Sequence, residues 1–326
     1  MSFIDKLAAA VEKKGSSVLV GLDPRFEWIP DSIKQSTLKD LNEFSGQLMS
    51  LRTHEDTDRK DAGFDVSEIA PTVFCDFCRD IIDIVAPYVP CVKPQMAFFE
   101  QLGSDGMVAL DDVIQYARDC GLLVILDGKR NDIGTTAAAY AKGLLGETSP
   151  WGADALTVSP YLGDDSLDPF IQTAVEQDAG VFVLVKTSNP GGGMIQNLET
   201  TDGRKIYEVV GDFVQGKALQ TVGQCGYGNV GAVVGATYPK ELAELRQRMP
   251  NTWFLIPGFG AQGGSAESVK AAYDEKGLGA IVNNSRGINF AWRTKAYESY
   301  GEEKWKDAVL AATKDMCAAL KEAVNN

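Results

Sequence analysis

Within Leu123 to Thr136, LVILDGKRNDIGTT, a carboxylate, an ammonium and a second carboxylate fall in six positions as Asp127, Lys129 and Asp132. Asp127 and Lys129 are two apart, so on a strand they point to the same side, and the apolar run before them reads as that strand. Burying ions costs several kcal/mol each unless they are paired, so such a set suits chemistry better than stability. An ammonium flanked by carboxylates stays protonated at pH 7, which fits a proton donor better than an amine nucleophile. Structural alternatives are a plain Asp127–Lys129 pair, and Asp132 or Thr135 capping a helix that begins near Gly134.

These side chains need elements to hold them together. Short β-branched runs alternate with longer amphipathic segments along the chain, the pattern of parallel strands joined by crossover helices. Strands are expected at 17–23, 89–95, 122–129, 155–161, 180–188, 230–237, 253–260 and 279–285. Helices are expected at 72–88, 107–119, 135–145, 166–177, 205–221, 240–248 and 265–275, with an amphipathic helix over 1–14. Near-continuous hydrophobicity in the strands implies burial on both faces. Eight such units predict an α/β fold, a closed (β/α)8 TIM barrel, as a single domain over residues 1–326 with insertions after strands one and five, at about 36–70 and 189–204. Barrel active sites lie on the loops after the C-terminal strand ends. Asp23, Lys93, Asp127, Lys129, Ser159, Lys186, Ser188 and Arg286 all fall at or just past such ends. The first insertion holds the charged run Arg52 to Asp65 and the only histidine, His54, and reads as a solvated excursion. The second opens on Gly191, Gly192 and Gly193 and reads either as a mobile loop over a site or as an ordinary surface connection.

Composition narrows the function. The 326 residues carry 45 acidic against 31 basic side chains, a net charge of −14, and are 44% hydrophobic, which fits a globular protein and excludes disorder. No apolar run approaches the ~20 residues of a membrane helix, and the start lacks the regions of a signal peptide, so a cytoplasmic location is expected. Without a basic stripe the chain has no surface for tracking nucleic-acid phosphates, and an anionic ligand must be held by local charges. The six cysteines read as reduced thiols; Cys75 and Cys78 merely share a helical face. With His54 alone in a polar insertion, a serine–histidine hydrolase is disfavoured.

DGKRNDI, followed by Thr136, resembles the Asp-x-Lys-x-x-Asp signature of the orotidine 5′-monophosphate decarboxylase family. VGLD at 20–23, VKPQMAFFE at 92–100, VSPYLGDDS at 158–166, TSNPG at 187–191, PGFGAQGG at 257–264 and SRGI at 285–288 resemble the bacterial branch of longer chains, in the same order. The resemblance implies cofactor-independent, metal-free decarboxylation of orotidine 5′-monophosphate to UMP in de novo pyrimidine synthesis. It implies that Lys129 stabilises and then protonates the C6 carbanion within a Lys93, Asp127, Lys129, Asp132 charge network, with Lys93 the second candidate for the proton. Asp127 would face the departing carboxylate, Asp23 accept a ribose hydroxyl, Ser188 read the pyrimidine amide edge, and Gln262 and Arg286 hold the phosphate. It further implies a homodimer in which Asp132, Ile133 and Thr136 reach the partner's site. The chain departs from the commoner pattern at Asn283, Asn284 and Ser285, before Arg286, and at Asn131, where glycine is frequent. Three alternatives stand beside this reading. A Mg-dependent sugar-phosphate lyase of the same barrel group is opposed by Lys93, where those enzymes place an acidic metal ligand. A Schiff-base aldolase would use Lys129 or Lys186, and a non-catalytic barrel would only bind nucleotides.

Overall fold

The computed structural model describes residues 1–51, 66–260 and 263–325. Eight parallel strands close a barrel in chain order: β1 Val18–Leu22, β2 Cys91–Pro94, β3 Leu123–Arg130, β4 Ala155–Val158, β5 Gly180–Lys186, β6 Val230–Val234, β7 Phe254–Ile256 and β8 Ala280–Asn284. The last pairs with the first, Val18 opposite Val282. Seven of the strands run shorter than the sequence implies and β3 keeps its length but shifts by one residue, the trimmed C-terminal residues such as Asp23, Ser159 and Ser188 belonging to the loops rather than to the ladder.

The continuous hydrophobicity of the strands has a simple origin. Val18, Val20 and Leu22 of β1, Val124 and Leu126 of β3, and Val181, Val183 and Val185 of β5 face the surrounding helices. The residues between them, Leu19, Ile125 and Phe182, fill the barrel with Leu255 and Ile281. The amphipathic helix Phe3–Lys14 packs into that inner cluster, Phe3 meeting Phe182 edge-on with centroids 6.1 Å apart. Gly180 makes room for this: a Cβ there would lie 2.2 Å from Phe3 Cδ1.

Helices Val66–Val85, Gly103–Asp119, Gly134–Leu144, Asp168–Glu176, Ile206–Leu219 and Pro239–Arg248 follow the expected pattern. The helix expected over 265–275 is instead a short α-turn, Ala266–Val269, and a 3-10 turn, Lys270–Ala272. Tyr273 leaves it to meet the hydroxyl of Ser17 at 2.7 Å. The excursion at 36–70 also needs correction. Asp31–Leu51 is a helix with Ile33 and Thr37 buried, and Val66–Val85 starts before its expected first residue, with Pro71 inside it and Ile69 and Ala70 in the core. The charged run 52–65, with His54, lies outside the described residues. A further helix, Trp305–Asn325, was not expected; it buries Trp305, Ala308, Val309, Ala312, Met316 and Leu320 on one face. Cys75 and Cys78 are free thiols on a buried helix face, and burial with the nearby Asp112 pushes Cys75 up to about 12, so neither is poised for redox chemistry. No helix among the described residues is long and apolar enough to cross a membrane.

One polar group ties the base of the barrel. The half-buried Arg246 donates to the carbonyls of Met249, Thr252 and Gly279 at 2.9 Å each, and its guanidinium lies 3.8 Å from the Phe254 ring centroid. Arg246→Ala leaves three carbonyls short of a donor and is expected to lower stability by about 3 kcal/mol, read as a fall in the urea midpoint.

Candidate active site

The charged residues of β3 sit on a bulge. Leu126 pairs with Leu156 and Arg130 with Val158, so Asp127, Gly128 and Lys129 lie opposite Thr157 alone. Lys129 has φ 43°, in the left-handed region, a conformation that costs about 1 kcal/mol in a residue bearing a Cβ. Gly128 is fixed by close approach, since a Cβ there would stand 2.9 Å from Met96 Sδ. Asp127 and Lys129 do line one cavity. Plain strand alternation is not the whole reason, because the bulge re-aims the lysine.

Asp127 collects four donors. Its Oδ2 accepts from Lys93 Nζ at 2.7 Å and Gln95 Nε2 at 3.0 Å; its Oδ1 accepts from Lys129 Nζ at 2.7 Å and Thr157 Oγ1 at 2.8 Å. Burial pushes the Asp127 carboxyl up, but the ammoniums of Lys93 and Lys129 outweigh it and hold the group far below the usual carboxylate range. Burial likewise pulls Lys93 down, and Asp127 followed by Asp23 more than offsets it, leaving its pKa raised. Lys93 and Asp127 are therefore both charged at neutral pH. The two lysines differ in access: the side chain of Lys93 is 5% exposed, that of Lys129 49%.

Around this cluster is a cavity of about 390 Å³ that brings together Asp23, Lys93, Asp127, Lys129, Ser188 and Arg286. Asp23 Oδ1 and Asn283 Oδ1 are buried in its wall without a hydrogen-bond donor, two acceptors left for a ligand. Arg286, exposed at the rim after β8, forms no ion pair among the described residues. Pro257, Gly258 and Phe259 close the wall after β7, while Gln262 lies outside the described residues. The segment after β5 is anchored: Gln196 Nε2 donates to Thr187 Oγ1 at 2.8 Å and Thr187 N to Gln196 Oε1 at 3.1 Å, with Ser188 and Asn189 of the clasped segment lining the cavity.

Other expected residues lie elsewhere. Asp132, Ile133 and Thr136 do not line this chain's cavity; Ile133 is 57% exposed and Thr136 is exposed. Neither Asp132 nor Thr135 caps the helix Gly134–Leu144, whose N-cap Ile133 receives no side-chain cap, and Asp132 Oδ1 accepts instead from Ile133 N at 2.8 Å. Ser159 borders a separate, mostly apolar cavity of about 350 Å³. Lys186 is buried, hydrogen-bonded to Asn197 and held over the rings of Tyr207 and Tyr238 at 4.9 and 4.7 Å, and it does not line the cavity around Asp127. Sequence reasoning missed Gln95, Thr157 and the bare Oδ1 acceptor of Asn283. Gln95 stands two residues past Lys93 and was readable from that spacing; Thr157 is an ordinary strand former in ALTV and gave no signal. Among the described residues no three His, Cys, Asp or Glu side chains meet as metal ligands.

The model of the Orotidine 5'-phosphate decarboxylase / HUMPS family matches residues 61–298. The chain is 50% identical to the orotidine 5'-phosphate decarboxylase of Rhodopirellula baltica over 98% of this chain and 99% of that one. It is 40% identical to the enzyme of the same description from Haloarcula marismortui, covering 100% and 99% of the two chains. The solved OMP decarboxylase of Leishmania donovani matches with a TM-score of 0.71 at 31% identity, each chain covered in full. Matched by the family model across most of its length, and end to end by long relatives on the same closed barrel, the chain belongs to the orotidine 5′-phosphate decarboxylase family as one of its long-chain members.

Proposed function

We propose that this chain converts orotidine 5′-phosphate to UMP and CO₂ in pyrimidine synthesis without a cofactor, and that Lys129 stabilises and protonates C6. One observation carries the reading: the Lys129 ammonium is fixed 2.7 Å from a buried, ionised Asp127 and faces the cavity. Cleavage of the C6–carboxylate bond leaves its electron pair on C6. A fixed ammonium there interacts more strongly with that charge than with the ground-state ring, which is the condition for lowering the barrier. The proton then passes from Lys129 Nζ to C6. Asp127 faces the departing carboxylate and holds both lysines. The exposure of Lys129 supports it over Lys93 as the acid, because a half-exposed amine is reprotonated from solvent whereas Lys93 is sealed.

The remaining roles follow from what each group lacks. Asp23, with a bare acceptor, takes a ribose hydroxyl; Ser188 reads the amide edge; Arg286, without a carboxylate partner among the described residues, takes the phosphate together with Gln262. Asp132, Ile133 and Thr136 complete the partner's site in a homodimer, a reading supported by their absence from the lining of their own chain's cavity. Two ammoniums at the cavity wall would repel Mg²⁺, so loss of orotidylate absorbance is expected to proceed in EDTA within about twofold of the rate without it. A collapse of turnover in EDTA that Mg²⁺ restores would instead favour the metal-dependent lyase.

A further inference from the structure

We infer that Thr157 is a positioning residue for the reaction, holding the Lys129 backbone in its left-handed conformation and thereby its ammonium over Asp127. The inference rests on the reading of Lys129 as the C6 acid. Because three residues of β3 oppose one of β4, the ladder has no carbonyl for the Lys129 amide. Thr157 Oγ1 accepts that N–H at 3.0 Å and donates its own proton to Asp127 Oδ1 at 2.8 Å. Asp127 Oδ1 also accepts from Lys129 Nζ at 2.7 Å. The hydroxyl therefore closes a ring that begins at the Lys129 amide and ends at the Lys129 ammonium.

The polarity of that ring is unambiguous. A hydroxyl has one proton, an ionised carboxylate can only accept, and an amide can only donate, so the Thr157 oxygen has one consistent arrangement. Thr157 is 1% exposed, so its hydroxyl is committed to these two partners rather than to solvent. Gln95 also donates to Asp127, but to Oδ2, and does not touch the Lys129 backbone. Without the hydroxyl, the Lys129 amide loses its only acceptor and the left-handed turn loses what offsets its strain. The backbone then relaxes and carries the ammonium away from the reacting carbon. A misplacement of about 1 Å costs about 100-fold in rate, while contacts that bind sugar and phosphate are untouched.

The test compares Thr157→Val, Thr157→Ala and Thr157→Ser with Lys129→Ala, measuring kcat and KM for orotidine 5′-phosphate and the affinity for UMP. The valine and alanine variants are expected to lose about 100-fold in kcat, with KM and UMP affinity within about threefold of the parent, and serine to retain kcat within about threefold. Serine and alanine differ by one oxygen, so that comparison stands even if valine distorts the barrel. Unchanged kcat in alanine and valine, a serine variant as slow as alanine, or a fall in kcat matched by an equal loss of UMP affinity would each overturn the inference. Near-parental turnover by Lys129→Ala would overturn the underlying reading of Lys129 instead.

Discussion

Replacing Lys129 by alanine is expected to lower kcat by about 10⁴-fold or more while leaving the melting temperature within a few degrees of the parent. Two effects vanish together. A positioned proton donor contributes about 10²–10⁴, and a preorganised charge at a developing anion contributes about 10²–10³. The fold tolerates the change because the Lys129 side chain is half exposed and Asp127 keeps three donors, Lys93, Gln95 and Thr157. The same substitution at Lys93 is a different experiment. Its ammonium is sealed against Asp127, and removing it leaves a buried carboxylate short of a counter-ion, a stability defect of about 3–5 kcal/mol. Stopped turnover in a well-folded Lys129→Ala protein that still binds UMP is therefore diagnostic. Turnover within tenfold of the parent would show that Lys129 is not the acid.

The charged set at the heart of the site was readable because its members cluster in sequence: Asp127, Lys129 and Asp132 fall in one six-residue stretch, and Lys93 closes another apolar run. The barrel was readable for a related reason, as inward and outward faces of each strand are both apolar, which no half-exposed sheet shows. What escaped depends on neighbours remote in the chain. The bulge at Asp127 to Lys129 exists only in the pairing of β3 with β4, so the sequence supported straight alternation. Thr157 acquires its role from facing that bulge. The helix Asp31–Leu51 hides its core contacts in a polar segment, with Ile33 and Thr37 buried among Lys34, Gln35 and Ser36. In contrast, the apolar spacing of Trp305, Val309, Ala312, Met316 and Leu320 was visible and went unassigned.

Mixing two inactive proteins, Lys129→Ala and Asp132→Ala, is expected to restore up to about a quarter of parental activity once their subunits exchange. Asp132 lies three residues past Lys129, yet only Lys129 lines the cavity of its own chain. Ile133 and Thr136, which follow Asp132 in the chain, are exposed and so accessible to a second copy. In an isologous two-fold dimer each chain gives to its partner what it receives. Each site then combines Lys129 from one chain with Asp132 from the other. A hybrid dimer carries both lesions in one site and neither in its second. Random exchange makes about half of the dimers hybrid, each with one intact site of two, which gives the quarter. The measurement is turnover after exchange in mild denaturant and dilution, with hybrid dimers counted by mass or by a tag on one variant. If both residues served the same chain's site, every site in the mixture would stay broken, so confirmed hybrids without recovered turnover would eliminate the shared site.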